Sequence, residues 1–205
     1  MISISGRKWQ EKKVNTKIVE KIQQQNNFSK IISKLIVSRN FDENEIYLIN
    51  NDLNLSNVFQ KNPDFVKSVE LLIDCLKYKE NICILGDYDV DGSCATSLLV
   101  RFFNHINQPH FFYIPDRVID GYGASKKLFQ KLILKNPKLI IMVDCGSNSN
   151  DAVDFLRQNN IKSIIIDHHE INNPFPKSDA LINPKKKIVK KESTLLCATT
   201  LTYFL

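Results

Sequence analysis

An α/β fold with a largely parallel, doubly wound sheet is the class that residues 81–205 predict, with a helical extension ahead of it. Two observations carry that expectation. Apolar positions before residue 80 recur every three or four residues, as on one face of a helix. From residue 81 short apolar runs alternate with amphipathic stretches, the pattern of strands joined by crossover helices. A third observation concerns placement: carboxylates and histidines follow directly on three of the apolar runs. In open parallel sheets the carboxyl ends of the strands are where active groups gather.

The helical region contains the apolar sets Ile18-Val19-Ile22, Phe28-Ile31-Ile32-Leu35-Ile36 and Phe65-Val66-Val69-Leu72-Ile73-Leu76. Asn62 reads as the N-cap of the last helix, with Pro63 in its first position. Strands are expected at 81–86, 110–114, 138–143, 161–166 and 179–182. Helices are expected at 92–105, 124–135, 149–160 and 194–205. The division expected from this pattern is a helical, basic extension at 1–80 and an α/β domain at 81–205.

At 205 residues the chain has room for one domain, or one domain with an extension. Its apolar runs stop at five or six residues, far short of the roughly 18 that a membrane span requires, so no membrane partner is expected. Residues 1–7 lack the apolar core of a signal peptide. Five cysteines, with no Cys-x-x-Cys pair, read as reduced thiols of a cytoplasmic protein. The net charge of +6 is uneven, with nine Lys/Arg against two Glu in residues 1–40. A second basic group comprises Lys185, Lys186, Lys187, Lys190 and Lys191. Basic patches beside an acidic centre suit a polyanionic substrate, and the same lysines equally suit a solvated surface.

The segment Gly86-Asp87-Tyr88-Asp89-Val90-Asp91-Gly92 places three carboxylates within five residues. If it is extended, Asp87, Asp89 and Asp91 share a face and repel one another unless a cation intervenes. An EF-hand loop starting at Asp87 would need a glutamate at its twelfth position, which is Leu98, and a helix ahead of it, where a strand is expected. Helix capping would account for one carboxylate of the three. Val143-Asp144-Cys145-Gly146 and Asp167-His168-His169 are the companion clusters. Together they point to a two-metal hydrolytic centre for Mn²⁺ or Mg²⁺, the imidazoles favouring Mn²⁺. His105 and His110, at a helix end and a strand start, read as structural.

These three motifs resemble those of the DHH phosphoesterases. The element Pro115-Asp116-Arg117-Val118-Ile119-Asp120-Gly121-Tyr122-Gly123, with Ser5-Gly6-Arg7-Lys8-Trp9, is similar to sequences of the RecJ group of single-strand-specific 5′→3′ exonucleases. The resemblance implies two-metal hydrolysis of phosphodiester bonds in single-stranded DNA, in DNA repair and recombination. It implies Asp89 and Asp144 as ligands of one ion, and Asp91, Asp144 and His168 as ligands of the other. His169 would contact the scissile phosphate, which makes Asp89, Asp91, Asp144, His168 and His169 the catalytic set. Asp87 is either a further ligand or an outer acceptor. Arg117 suits a phosphate, Gly121 and Gly123 a close backbone approach, and Tyr122 base stacking or core packing. Implied partners are single-stranded DNA, a single-stranded-DNA-binding protein and a recombination helicase, around a monomer.

Two positions depart from the family pattern. Leu85 stands where many DHH enzymes carry a histidine, which argues against a pyrophosphatase more than against a nuclease. Cys145 stands where asparagine is expected, behind a ligand aspartate. The family's further metal-binding aspartate, second DHH-associated domain and OB-fold would all lie beyond Leu205. The expectation is therefore an N-terminal fragment, truncated at its C-terminal side, with weak metal binding and little nuclease activity. The other readings are a DHH phosphodiesterase for short oligonucleotides or cyclic dinucleotides, and a non-catalytic replication scaffold.

Overall fold

A computed structural model describes residues 5–8, 10–50, 59–121, 123–186 and 196–205. Trp9, Tyr122 and the lysines at 187, 190 and 191 lie outside these described residues. The chain divides into two compact units, Met1–Ser56 and Asn57–Leu205.

Among its described residues the first unit holds three short helices, each started by a side-chain cap or its equivalent. Asn15 accepts hydrogen bonds from the N–H groups of Lys17 and Ile18 at the start of α1 (Thr16–Asn26). Ser29 accepts from Ile32 N–H at the start of α2 (Lys30–Arg39). Asp42 and Glu45 form a reciprocal capping box, both bonds 2.8 Å, at α3 (Glu43–Asn50). Val19, Phe28 and Ile36 are buried here. Ile31 and Leu35 are exposed although they share the apolar spacing of α2, because Ser33 and Ile36 form the buried side of that helix.

The second unit opens with α4 (Pro63–Lys77), which Asn62 caps and Pro63 starts as the sequence predicts. Five parallel strands follow: β1 (Ile82–Leu85), β2 (His110–Tyr113), β3 (Leu139–Val143), β4 (Lys162–Ile166) and β5 (Ala180–Ile182). Their spatial order is β2-β1-β3-β4-β5. The connecting helices are α5 (Val90–His105), α6 (Lys126–Leu132) with a short 3-10 turn after it, and α7 (Asn150–Gln158). A last helix, α8, spans Ala198–Phe204 and is shorter than the predicted 194–205.

Alternate strand residues face opposite helical layers, as a period of two requires. Ile82, Ile84, Ile141, Val143 and Ile164 pack with residues of α4, α5 and α8, including Leu72, Phe103 and Leu201. Cys83, Leu85, Ile140, Met142 and Ile165 pack with residues of α6 and α7, including Phe129 and Leu156. Both sheet faces are thus covered, which is why β1, β3 and most of β4 are uninterrupted apolar runs. All five cysteines are free thiols. No helix among the described residues is long and apolar enough to cross a membrane.

The order reverses between β1 and β3, since β2 lies to one side of β1 and β3 to the other. Such a switch point leaves a crevice outside the carboxyl ends of the two strands. Register makes that crevice acidic. Leu85 pairs with Met142 and Val143 pairs with Ile166. Asp87, Asp144 and Asp167 therefore leave three neighbouring strands at one level.

Phe103 anchors α5 with no exposed surface, while Phe102 beside it is 45% exposed. Phe103→Ala should cost about 3–5 kcal/mol of unfolding free energy, and Phe102→Ala less than about 1 kcal/mol. Urea denaturation of the two variants checks this; equal losses would contradict the burial of this layer.

Candidate metal centre

The acidic segment after β1 is not extended. α5 begins at Val90, so the expectation that Asp87, Asp89 and Asp91 line one face of an extended segment is corrected by the early start of this helix. Asp89 is the N-cap, its Oδ1 accepting from Gly92 N–H at 3.0 Å. Asp87 remains in the turn and is buried. Gly92 permits this close turn: a Cβ there would stand 2.6 Å from the Asp87 carbonyl oxygen and 2.7 Å from its Cβ. Asp91, in the first turn of α5, reaches α8 instead. Its oxygens accept hydrogen bonds from Ala198 N–H (2.7 Å), Thr199 N–H (2.8 Å) and the Thr199 hydroxyl (2.5 Å).

Asp144 ends β3 with φ of 60°, a left-handed conformation that aspartate tolerates better than most residues. Its N–H donates to Ile166 O at 2.9 Å, and Gly146 completes the turn with φ of 106°. The carboxylate is fully buried, and neither oxygen has a hydrogen-bond partner. His168 Nε2 stands 3.2 Å from Asp144 Oδ1, outside hydrogen-bond geometry, and 3.5 Å from Asp91 Oδ2. Burial, then the charges of Asp91 and Asp89, push the Asp144 carboxyl up to about 8. Burial also raises Asp87, whose Oδ1 likewise lacks a partner.

Asp167 behaves in the opposite way. Burial alone would raise its carboxyl, but hydrogen bonds from His169 and Ser147 outweigh it and hold the group at about 2. Its Oδ1 accepts from His168 N–H (2.8 Å), His169 N–H (3.2 Å) and His169 Nδ1 (2.8 Å), while Oδ2 accepts from Ser147 N–H (3.0 Å). The bond to Asp167 raises His169 to about 9 against the effect of its own burial. Asn183, after β5, donates to Ser147 Oγ (2.8 Å) and His169 O (3.0 Å). Ser147, Asn183 and Thr199 thus support the centre without having been singled out from sequence, whereas Asp167 stood in a motif that the sequence did single out.

Ligand atoms of Asp87, Asp89 and Asp144 lie within 4.8 Å of one another, as do those of Asp144, His168 and His169. Buried carboxylate oxygens that no hydrogen bond satisfies are suited to a cation, which supplies positive charge where they point. The donor set of oxygens with one or two imidazoles fits Mn²⁺ or Mg²⁺.

The predicted substrate residues fall nearby. The Arg117 guanidinium lies 5.5 Å above the ring of Tyr88, inside the acidic turn. Gly121 and Gly123 both have positive φ. Gly123 lines an open cleft of about 520 Å³ with Cys145, Ser147, Asp167, His169 and Glu170. Cys145 Sγ donates to Leu85 O at 3.8 Å, so the two positions that depart from the family pattern touch each other. Of the second basic group, Lys185 pairs with Glu170 and Lys186 with Asp64, both at 2.7 Å. His105 lies in the last turn of α5, and His110 Nδ1 is 2.8 Å from Gln108 O.

A raised carboxyl makes stability depend on pH in a defined direction. The folded protein holds the Asp144 proton more tightly than the unfolded chain does. That contribution is complete below the unfolded value near ~3.9 and is lost as pH rises towards about 8. His169, also raised, adds loss only above its unfolded value of ~6.5. Between pH 5 and 6.5 the metal-free protein should therefore lose up to about 2 kcal/mol, and Asp144→Asn should lose little. Denaturant titrations in EDTA would test this, and parallel pH profiles for the two proteins would refute it.

Residues 81–205 match the DHH family, N-terminal domain. The chain is 27% identical over 185 residues to the single-stranded-DNA-specific exonuclease RecJ of Bacillus subtilis, covering 89% of this chain and 23% of that protein. It is 34% identical over 119 residues to RecJ of Haemophilus influenzae, covering 58% of this chain and 21% of that protein. The chain thus spans about a quarter of the length of these curated relatives. The crystal structure of an exonuclease RecJ bound to manganese superposes with a TM-score of 0.62 at 26% identity, over 67% of this chain and 35% of that one. The parallel α/β sheet of this chain, with helices on both faces, is shared with that structure. The chain belongs to the DHH family, with its relatives among the RecJ exonucleases.

Proposed function

We propose that residues 81–205 carry the metal-dependent, phosphodiester-hydrolysing centre of an exonuclease that acts on single-stranded DNA from its 5′ end, in repair and recombination. The observation that carries this reading is Asp144: a buried carboxylate, both oxygens without donors, common to two groups of ligand atoms. Asp87, Asp89 and Asp144 would hold one divalent ion, and Asp144 with His168 a second, Asp91 standing beside His168. The manganese-bound RecJ structure supports Mn²⁺ as one of the ions. When bound, such ions polarise a phosphoryl oxygen and lower the pKa of water.

The protein's own groups do the rest. Asp167 holds His169 through Nδ1, which fixes the ring and keeps it protonated near neutral pH. Nε2 is the atom assigned to the scissile phosphate, where it donates a charge-assisted hydrogen bond to developing negative charge. Asn183 and Ser147 hold the backbone of this motif in place, so the ring is oriented before substrate arrives. Arg117, beside the acidic turn, takes an adjacent phosphate. The single-stranded-DNA specificity of the RecJ relatives supports the substrate class.

The test begins with Mn²⁺ binding to the 205-residue chain. Calorimetry should show binding that weakens at least about tenfold in Asp144→Asn. Electron paramagnetic resonance should show an exchange-coupled ion pair that the same variant abolishes. With Mn²⁺ and the protein in large excess, a 5′-labelled single strand should lose its labelled end slowly, at the low rate expected of this segment alone, while a blunt duplex is spared. Absence of Mn²⁺ binding, or equal attack on duplex and single strand, would overturn the reading.

A further inference from the structure

The loop from β2 to α6 holds two branched aliphatic side chains out in water. Val118 is 93% exposed and Ile119 is 71% exposed. Burying such side chains is favourable, so a loop free to collapse would cover them. This loop is not free. Asp116 Oδ1 accepts hydrogen bonds from the N–H groups of Val118 (2.8 Å) and Ile119 (3.0 Å). Asp120 N–H donates to Asp116 O at 2.8 Å. Asp120 Oδ2 accepts from the Tyr113 hydroxyl at 2.6 Å and from Asp116 N–H at 3.2 Å. Lys131 Nζ, on α6, stands 3.1 Å from Asp120 Oδ1. The tip is thereby tied to the end of β2 and to α6, with its backbone N–H groups satisfied locally.

What the tip faces follows from its neighbours. Arg117 precedes Val118 and lies over Tyr88, whose own neighbours Asp87 and Asp89 belong to the candidate metal centre. A cation followed by a rigid apolar ledge, beside an acidic centre, matches the repeat of a nucleic-acid strand, in which each phosphate is followed by a base. β-Branched side chains have little χ1 freedom to lose on contact. A flat base can therefore settle on them at low entropic cost. In a duplex both faces of each internal base are already stacked, so an unpaired base can take this position and an internal paired base cannot.

We propose that Val118 and Ile119 form an apolar platform for one unpaired nucleobase, with Arg117 on the neighbouring phosphate, and that this platform contributes to selectivity for single strands. The inference rests on the proposed exonuclease reading, which it extends from phosphate chemistry to base contact.

Fluorescence anisotropy on the full 205-residue chain tests it, with Ca²⁺ in place of Mn²⁺ to occupy the carboxylates. The probes are a labelled single-stranded oligonucleotide, a strand of equal length carrying abasic nucleotides, and a blunt duplex. Val118→Ser combined with Ile119→Ser should bind the base-bearing strand about fivefold more weakly and the abasic strand unchanged. Val118→Ile combined with Ile119→Val, which keeps both positions β-branched and apolar, should retain the wild-type preference for the base-bearing strand. Equal weakening on both strands, or none, would overturn the platform while leaving the Mn²⁺-binding and 5′-shortening results of the parent reading intact. A drop in sedimentation coefficient in the serine variant would also overturn it, because the tip would then be a contact between copies. If the wild-type chain binds no single strand at all, the parent reading fails and the platform with it.

Discussion

The rest of the site depends on a buried carboxylate that the protein leaves without a hydrogen-bond donor. Asp144 sits at the end of a central strand with no exposed surface, its backbone committed to β4 through the Ile166 carbonyl. The turn that follows is closed by Gly146, where a Cβ would come within 3.0 Å of Met142 Sδ. The carboxylate is thus driven inward over the crevice between β1 and β3. An ionised group buried in this way is unfavourable, and the nearby charges of Asp91 and Asp89 make it more so. The fold supports this arrangement with helices packed on both faces of the central strands.

Around Asp144 the hydrogen-bond donors are distributed unequally. Asp167 receives backbone N–H groups from three residues and an imidazole, and Asp91 receives three donors from the first turn of α8. Both carboxyls lie below the usual carboxylate range despite their burial. Asp144 and Asp87 receive no donor at three oxygens and lie above it. One pair of acids is therefore satisfied by the fold's own donors and stays ionised, while the other pair keeps oxygens that no protein donor satisfies. This division follows from where the donors are, and the one-dimensional pattern of aspartates does not show it.

That explains which features could be read from sequence. The strands were legible because burial on both faces leaves unbroken runs such as Leu139–Val143, and the start of α4 because Asn62 and Pro63 act locally. The three acidic clusters were legible because parallel strands end where their apolar runs end. The path of the chain between Leu85 and Gly92 was not. A period of two describes a strand, but Asp89 caps a helix there and turns Asp91 away from Asp87. The Asp91–Thr199 bond spans 108 residues, and Asn183 reaches Ser147 across 36. Neither leaves a local trace, because serine, threonine and asparagine are common surface residues whose role depends on tertiary placement. Lys185 and Lys186 are the converse case: a basic run in sequence whose described members are paired with Glu170 and Asp64.

The contact between Asp91 and α8 makes a segment without ligand chemistry part of the centre. α8 supplies Leu201 to the core layer over β3 and β4, so apolar burial holds its first turn in place. That first turn in turn presents two N–H groups and a hydroxyl to Asp91, fixing both carboxylate oxygens before any cation binds. His168 Nε2, 3.5 Å from one of those oxygens and 3.2 Å from Asp144, stands between a carboxylate the fold has satisfied and one it has not. A cation in the crevice would meet carboxylate oxygens already fixed on one side and oxygens without hydrogen-bond donors on the other. Preorganisation lowers the reorganisation needed on binding. The hydrophobic contacts of a helix with no ligand residues therefore reach the candidate metal centre through a single aspartate.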